Sequence, residues 1–427
     1  MKNLIMGMLL TALPMTAALA KYDIINRAKL AEDRLNTLEL TRPIGHDFFI
    51  DIQGKFTTDI IDLQDDSAEI SKINDAQSIE NQVSEANGIL EKYYDKEQVI
   101  SAKIGLGVPL PSFTAWGVKV KPNFRAQGDI FAMLTPSQQD ISLTILIDSL
   151  DNVPSDIKAF VKSCITNGGL TNGVSLLDQC RDNGDISTSQ YNQLVAEYPG
   201  IENVEYQSSI GSTSVKGPAI DIYAKLQGKV GLFNSYKYDD HFFGTFNLYG
   251  LLRQDIQKRA DALTMLSDSE FEYAENRTTN MVIDYSLGYT NDNYKVLFGI
   301  EELKIAEGEK PKDAELNYGE DMLMRVHAQA EYKLSFFKIN PYLGSHSRAG
   351  YSFSDAYYLG ADWGMMSFED RLGLTIKTQM DKEHYTLGAR MKLWILHLDV
   401  TVRKARVEKV DGVKVGEFTG ANVRMFF

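Results

Sequence analysis

The chain has 427 residues, of which 58 are acidic and 44 basic, so its formal net charge is -14 at pH 7. A molecule this acidic is a poor electrostatic partner for nucleic acid, and no nucleic-acid binding is expected. Beyond the first twenty residues, no apolar run approaches the roughly 20 residues that a transmembrane helix needs, which excludes a helical membrane protein.

The first twenty residues have the parts of a secretory signal peptide. An initial lysine is followed by an apolar run over residues 4–13, and Ala18 and Ala20 form a small-residue cleavage motif. The run is short for a bilayer-spanning helix, which disfavours the alternative of a membrane anchor. We predict that residues 1–20 are a signal peptide cleaved before Lys21.

Residues 21–46 carry apolar side chains at helical spacing, at Ile25, Ala28, Leu35 and Leu38, among charged residues. An N-terminal helix is therefore predicted ahead of the main domain. Its placement has three alternatives: a helix in the periplasm, a plug that enters the lumen of that domain, or a mobile linker.

From residue 47 to residue 427, apolar and polar side chains alternate in segment after segment. In the stretch 116–134 the even positions carry no charge, whereas Lys119, Lys121 and Arg125 occupy odd ones. This period-2 alternation is typical of β-strands with one apolar and one polar face. Because no set of amphipathic helices is available to cover so much apolar surface, an all-β antiparallel barrel over residues 47–427 is favoured over a soluble sheet protein.

Fourteen strands are predicted, near residues 47–56, 100–109, 115–134, 217–235, 241–251, 281–290, 293–304, 322–334, 337–346, 355–364, 367–379, 381–392, 394–405 and 418–427. Two of them, 115–134 and 217–235, exceed the 9 to 11 residues or so that cross a bilayer. They either project beyond the membrane or each contain a turn. Splitting both gives the alternative of sixteen strands.

The connections between these strands alternate in length along the chain. Those near 110–114, 236–240, 291–292, 335–336, 365–366 and 393 are tight, and most of the others are long, with the link near Met380 as the exception. Short turns at one end and long loops at the other are typical of up-and-down barrels that cross a membrane. Helices are predicted in several loops, near residues 140–150, 155–161 and 255–275 and after Ala76.

The longest connection, residues 135–216, is predicted to be a helical loop insert within the barrel. It contains both cysteines of the chain, Cys164 and Cys180. In an exported protein this favours a disulfide over two unpaired buried thiols, with a stabilisation of about 3 kcal/mol for a loop of this length.

The last ten residues carry the most specific pattern. Ala421, Val423, Met425 and Phe427 share one face of an extended segment, while Asn422 and Arg424 lie on the other. A closing strand with a terminal aromatic residue resembles that of bacterial outer-membrane β-barrel proteins. The resemblance implies a porin-like transmembrane β-barrel in the outer membrane of a Gram-negative bacterium, in contact with lipid and recognised by the barrel insertion machinery through its Phe427 strand. It also implies that both ends of the barrel chain face the periplasm.

The polar faces of the predicted strands carry 16 cations and 8 anions, so the inferred lumen wall has a charge of 16 - 8 = +8. A basic lumen lowers the electrostatic barrier for anions. The function expected is therefore a channel for small solutes with a preference for anions, although charged ladders that only keep the lumen hydrated are the alternative. The predicted lumen-lining cations are Lys119, Lys121, Arg125, Lys225, Lys229, Arg325, Arg371, Lys377, Arg390, Lys392, Arg403 and Arg424.

Two other functions remain open. Fourteen strands after an N-terminal segment also resemble the FadL family of transporters for hydrophobic compounds, which would imply an apolar pocket near the outer loops from Phe242, Phe243, Phe246 and Tyr249. The long insert instead favours a surface-exposed binding or adhesion protein. No catalytic group, metal site or cofactor is predicted, and the sequence specifies neither a substrate nor an oligomeric state.

Overall fold

The structure is a computed structural model that describes residues 23–39, 46–70, 79–141, 155–167, 170–171, 173–197, 202, 205–206, 215–261, 274–308, 322–334, 337–366 and 372–427. Fourteen antiparallel strands form a barrel that closes because the first strand pairs with the last, with Phe49 opposite Phe426. The prediction of an all-β barrel of fourteen strands is confirmed.

The barrel strands are β1 (Phe49–Thr57), β2 (Gln98–Pro109), β3 (Val118–Ile141), β4 (Val215–Lys237), β5 (Phe242–Asp261), β6 (Ala274–Thr290), β7 (Tyr294–Glu307), β8 (Leu323–Ala330), β9 (Phe337–Ser347), β10 (Tyr358–Met366), β11 (Leu372–Asp381), β12 (His384–Leu393), β13 (Leu396–Ala405) and β14 (Phe418–Phe426). Short strands add to these at Phe113–Ala115 and Tyr332–Leu334, and two small ladders pair Val174–Ser175 with Glu205–Tyr206 and Lys409–Val410 with Val413–Lys414.

The two long strands are continuous. β3 and β4 pair without a register shift from Lys119 opposite Lys237 to Ile141 opposite Val215. The alternative of sixteen strands is therefore wrong, because neither segment contains a turn. Both strands are even longer than predicted, and with β5 they form the tallest part of the wall.

The barrel has two different ends. At the terminal end, where β1 begins and β14 finishes, the connections are residues 110–117, 238–241, 291–293, 331–336, 367–371 and 394–395. The opposite loop end carries the longer connections and the insert between β3 and β4, while the link between β11 and β12 is only residues 382–383. The alternation of short and long connections follows the predicted pattern, including its exception.

The described helices are α1 (Ile24–Thr37), α2 (Ile60–Ile70), α3 (Ile79–Leu90), α4 (Ser155–Asn167), α5 (Leu176–Asp182) and α6 (Thr188–Glu197), with a 3-10 turn at Glu91–Tyr93. None of the helices in the described ranges is long and apolar enough to span a bilayer. The prediction of a helix near 255–275 is wrong for the described residues at both ends of this segment, because β5 continues to Asp261 and β6 starts at Ala274. The remainder of that segment and residues 142–150 lie outside the described residues.

The insert has a core of its own. Cys164 on α4 and Cys180 on α5 form the predicted disulfide, which is confirmed. Around it, Val161, Leu177 and Leu194 are buried against one another. A small helical unit is thus built at the loop end without using the barrel wall as its core.

Candidate functional site: a helix in the barrel lumen

Helix α1 lies inside the barrel. Its residues contact side chains from strands on several sides of the wall, including Lys55 on β1, Lys225 on β4 and Lys377 on β11. All three lysines are on the polar face of their strands and are buried. Because contacts from opposite parts of the wall converge on one helix, α1 occupies the lumen.

The start of α1 is held at the loop end by Arg27. The Arg27 guanidinium donates to the Glu97 carboxylate, with Nε 2.8 Å from Oε1, and to the Glu383 carboxylate, with Nη1 2.8 Å from Oε1. Glu97 directly precedes β2, and Glu383 is in the link between β11 and β12. One arginine therefore joins two separate parts of the barrel rim to the helix.

A second arginine of α1 strengthens the contact with Glu383. Arg34 Nη1 is 2.6 Å from Glu383 Oε2. Burial raises the pKa of the Glu383 carboxyl, but the hydrogen bond from Arg27 and the positive charges of Arg34 and Arg27 outweigh it and lower the pKa to about 2. Glu383 is consequently ionised at every physiological pH.

The opposite side of α1 carries acids rather than bases. The Arg348 guanidinium bridges Asp33 on the helix, at 2.8 Å, and Glu302 on β7, at 2.9 Å. Glu302 extends this series of ion pairs, because its carboxylate also accepts from Lys229 Nζ at 2.8 Å. Beside this series, the carboxylate of Glu32 on the helix accepts from Lys225. A connected set of charges thus crosses the lumen from the helix to the wall.

Between these charged sides, α1 packs an apolar stripe against the wall. Ile24, Ala28 and Leu35 form one buried cluster with wall residues that point into the lumen. Those wall residues are Val99, Phe131, Met133, Tyr223 and Phe418. The helix is amphipathic, and the lumen offers it a complementary apolar patch.

Backbone N–H and C=O groups at the two ends of α1 form hydrogen bonds with specific side chains. The Asp23 carboxylate accepts from the backbone N–H of Ile25 at 2.9 Å, which caps the start of the helix. At its other end, Lys55 donates to the carbonyl of Leu35 and Lys377 to the carbonyl of Leu38. Lysines favour the negative end of the helix dipole. The capped start lies near the loop end, and the finish lies about halfway down the lumen.

The structure places most of the predicted lumen cations in ion pairs. The pairs of predicted cations with carboxylates are Lys225–Glu32, Lys229–Glu302, Arg325–Glu301, Lys377–Asp362, Arg390–Asp399, Arg403–Asp381 and Arg424–Asp51. Lys119 and Lys121 are exposed at the terminal end of β3, and Lys392 is half-buried. Arg125 lies over aromatic rings, and Arg371 lies outside the described residues.

Two buried acidic residues of the lumen, Glu302 and Asp255, were not predicted from the sequence. Glu302 follows Glu301 in the same strand, so strict alternation would turn it outward, but a register shift in β7 and a φ of 59° at Glu302 bring it into the lumen. Adjacent acids within a strand that faces lipid are a sequence signal for such a bulge. Asp255, which is buried, was missed because β5 was predicted to end at residue 251.

The aromatic residues considered for an apolar pocket do not form one. Phe242 and Phe246 are exposed on the outer face of β5, whereas Tyr249 is buried on the inner face and donates to Asp284. Phe242 also follows the short turn 238–241, which places it at the terminal end. The expectation of a pocket near the outer loops is therefore wrong for these residues.

Burial in the wall is the reverse of that in a soluble protein. On β1, Asp51, Gln53 and Lys55 are buried, whereas Ile52 and Phe56 are exposed. The same inversion recurs around the barrel, where exposed apolar side chains include Leu106, Phe124, Val230, Leu287, Phe298, Leu343, Trp363, Leu387 and Val400. An outer surface of this kind fits hydrocarbon and not water. The chain has the architecture of an outer-membrane β-barrel protein.

Comparison with family models and with curated proteins finds no match. Among solved structures, the chain is similar to the transport unit of the autotransporter AIDA-I from Escherichia coli, at 8% identity and a TM-score of 0.35, covering 95% of this chain and 99% of that one. It is also similar to a triple mutant of Rhodopseudomonas blastica porin, at 9% identity and a TM-score of 0.29, covering 89% and 99%. Both TM-scores are low, so the architecture is established by the strand pairing and burial of this chain itself.

Proposed function

We propose that the protein is an outer-membrane channel or transporter for small solutes in a Gram-negative bacterium, and that helix α1 is its gate. The observation that carries the proposal is the position of α1, inside a barrel too wide to be filled by its own side chains. Fourteen strands spaced about 4.8 Å apart and tilted about 40° enclose a backbone cylinder about 28 Å across. A helix about 10 Å in diameter, with its contacts, fills much of the remaining lumen.

The orientation follows from the two ends of the barrel. In this proposal the terminal end, with its short turns, faces the periplasm, and the loop end with the disulfide-linked insert faces outward. The barrel insertion machinery would recognise the closing strand that ends at Phe427. Solute would move between the two ends only when α1 leaves its position or shifts within the lumen.

The anion preference is proposed for the terminal half of the lumen. The +8 inferred from the strands omitted the groups that α1 and the rim bring to the loop end, where the carboxylates of Asp33, Glu97, Glu302 and Glu383 pair with the guanidinium groups of Arg27, Arg34 and Arg348, so the added charges at this end largely neutralise one another. Below the helix, Arg125 and Lys295 lie over aromatic rings instead of carboxylates. Anions entering from the terminal end would therefore meet a basic surface first.

A disulfide that locks α1 to the rim tests the gate. Gly350 has a φ of 103°, which a cysteine adopts only with strain, but a β-carbon built on it lies 3.3 Å from the Cβ of Asn26, close to the separation of about 3.8 Å found in disulfides. The double variant Asn26→Cys, Gly350→Cys is expected to show fewer openings in planar bilayers than the wild type when oxidised, and to recover them with dithiothreitol.

The reductant also cleaves the native disulfide, so wild-type protein with dithiothreitol is the matched control. Openings that persist at the wild-type frequency in the oxidised variant, with the cross-link verified by mass spectrometry, would contradict a gating role for α1. A wild-type barrel that shows no conductance and no solute uptake under any condition would contradict the channel itself.

The insert supports a second candidate function, binding of a partner at the cell surface. Its buried core around Val161, Leu177 and Leu194 makes it a folded unit rather than a plain loop. Liposomes containing a variant without the insert separate the two functions, because a channel retains solute uptake after the deletion, whereas a surface-binding protein loses its ligand.

A further inference from the structure

A cluster of hydrogen-bond donors lies on the inner wall near the terminal end, away from helix α1. Phe49 on β1 turns inward, and its ring rests on the backbone of β2 at Gly107, where a β-carbon would overlap it. Two guanidinium groups approach this ring. The Arg125 Cζ is 5.4 Å and the Arg424 Cζ is 5.5 Å from its centroid.

Arg125 has no carboxylate partner within the described part of the chain. Its Nε donates to the Asn123 Oδ1 at 3.3 Å, and its Cζ also lies 5.1 Å from the ring centroid of Phe233. Its two terminal nitrogens have no acceptor among the described residues. A guanidinium that contacts aromatic rings through its π-face keeps its N–H donors available to bind a further group.

The two neighbours of Arg125 also carry donors without acceptors. Asn123 is 2% exposed, and its Nδ2 has no hydrogen-bond partner among the described residues. Arg424 is 8% exposed and donates to Asp51 through Nη2, but its Nε has no partner within the same set. Buried donors of this kind are costly unless a group satisfies them.

The charges in this cluster do not balance. Arg424 pairs with the Asp51 carboxylate, whereas Arg125 has no carboxylate partner among the described residues, which leaves one positive charge. The free donors belong to a planar fork, an amide and a second guanidinium. Oxygens of a carboxylate or a phosphate suit such a set, because they accept several hydrogen bonds at once and supply negative charge.

We propose that Asn123, Arg125 and Arg424 form a binding site for a small oxyanion at the terminal end of the lumen. The proposal rests on the proposed function, because a solute reaches this site only through the lumen. The site would bind the carboxylate or phosphate group of a passing solute. Because it lies below α1, anions that enter from the terminal end would bind here before they reach the helix.

Calorimetric titration of the full-length protein in detergent with inorganic phosphate, at constant ionic strength in chloride, tests the site. The wild type is expected to bind phosphate. Arg125→Gln should weaken binding at least tenfold, because it removes both the fork and the charge. The control Lys119→Gln removes one cation from the same strand at an exposed position and should leave phosphate binding unchanged.

Asn123→Asp provides a second test that does not depend on the tolerance of the fold for losing Arg125. It keeps the size of the side chain but places a carboxylate beside the guanidinium, which supplies the missing charge internally. The barrel should become more resistant to heat, while phosphate binding is lost. Unchanged binding in Asn123→Asp, or equal losses in Arg125→Gln and Lys119→Gln, would overturn the proposal.

The outcome is separable from that of the proposed function. Titration measures binding whether or not the barrel conducts, and bilayer recordings measure conductance whether or not phosphate binds. A conducting barrel that binds no phosphate overturns the site alone. A barrel that binds phosphate but never conducts keeps the site and overturns the channel.

Discussion

Replacing Glu383 by Gln tests whether ion pairs at the rim hold helix α1 in the lumen. Glu383 accepts from Arg27 at 2.8 Å and from Arg34 at 2.6 Å, and its side chain is only 3% exposed. Removing one partner of a buried ion pair costs roughly 3 to 5 kcal/mol. Arg27 keeps Glu97, and glutamine keeps one carbonyl acceptor, so the lower figure applies.

A loss of about 3 kcal/mol from the docked state multiplies the undocked population by about 150. Single-channel recording in planar bilayers measures that population as open probability. We expect the open probability of Glu383→Gln to rise by about two orders of magnitude, unless it first reaches its maximum. The rise should disappear when the helix is also cross-linked through Asn26→Cys and Gly350→Cys.

The matched control is Glu417→Gln, which neutralises a carboxylate at the same end of the barrel. Glu417 pairs with Lys404, but the two side chains are 34% and 65% exposed, and exposed pairs of this kind contribute little. Its open probability should match that of the wild type. Equal open probabilities in the two variants, with both barrels folded by circular dichroism, would refute the assignment of Glu383 as an anchor of the gate.

Two further predictions concern pH and the insert. The pKa of Glu383 is lowered to about 2 in the docked state, so its stabilising contribution is complete above the ordinary carboxyl pKa of about 4.3 and is lost as the pH falls towards 2. Open probability should therefore be constant from pH 8 to pH 5 and rise below about pH 4.5 in the wild type, with a much smaller rise in Glu383→Gln. Reduction of Cys164–Cys180 should destabilise the insert by about 3 kcal/mol and speed its proteolysis, while the barrel itself stays resistant.

The strand count and the wall polarity were predictable from the sequence because each strand has lipid on one side and a wet lumen on the other. Because of that contrast, apolar and polar side chains alternate along each strand with a period of two residues. The prediction of strand ends was less accurate where a strand extends beyond the lipid. β5 was predicted to stop at residue 251, because beyond it the outward residues become polar, as at Gln254 and Lys258, and the alternation fades although the strand continues to Asp261.

The partners of the lumen cations were not predictable in the same way. Arg348 joins Asp33 to Glu302, and these three residues are far apart in sequence and lie in a helix, a strand and the connection after β9. Alternation assigns a side chain to a face, but it does not state which groups meet across the lumen. The exception is the pair formed by Arg390 and Asp399 on neighbouring strands, because their register follows from the tight turn between them.

The sequence of the wall nevertheless contains a pattern from which a helix in the lumen could have been predicted. Along β3 the inward positions are polar up to Asp129, and then Phe131 and Met133 turn the same face apolar. Inward apolar side chains in a wet lumen would be unfavourable without a partner, and α1 supplies it with Ala28 and its neighbours. The proposed gate therefore has two kinds of anchor. Changes of charge, pH or salt act on the ion pairs but leave the apolar contact intact, so they should raise the frequency of opening without releasing the helix permanently.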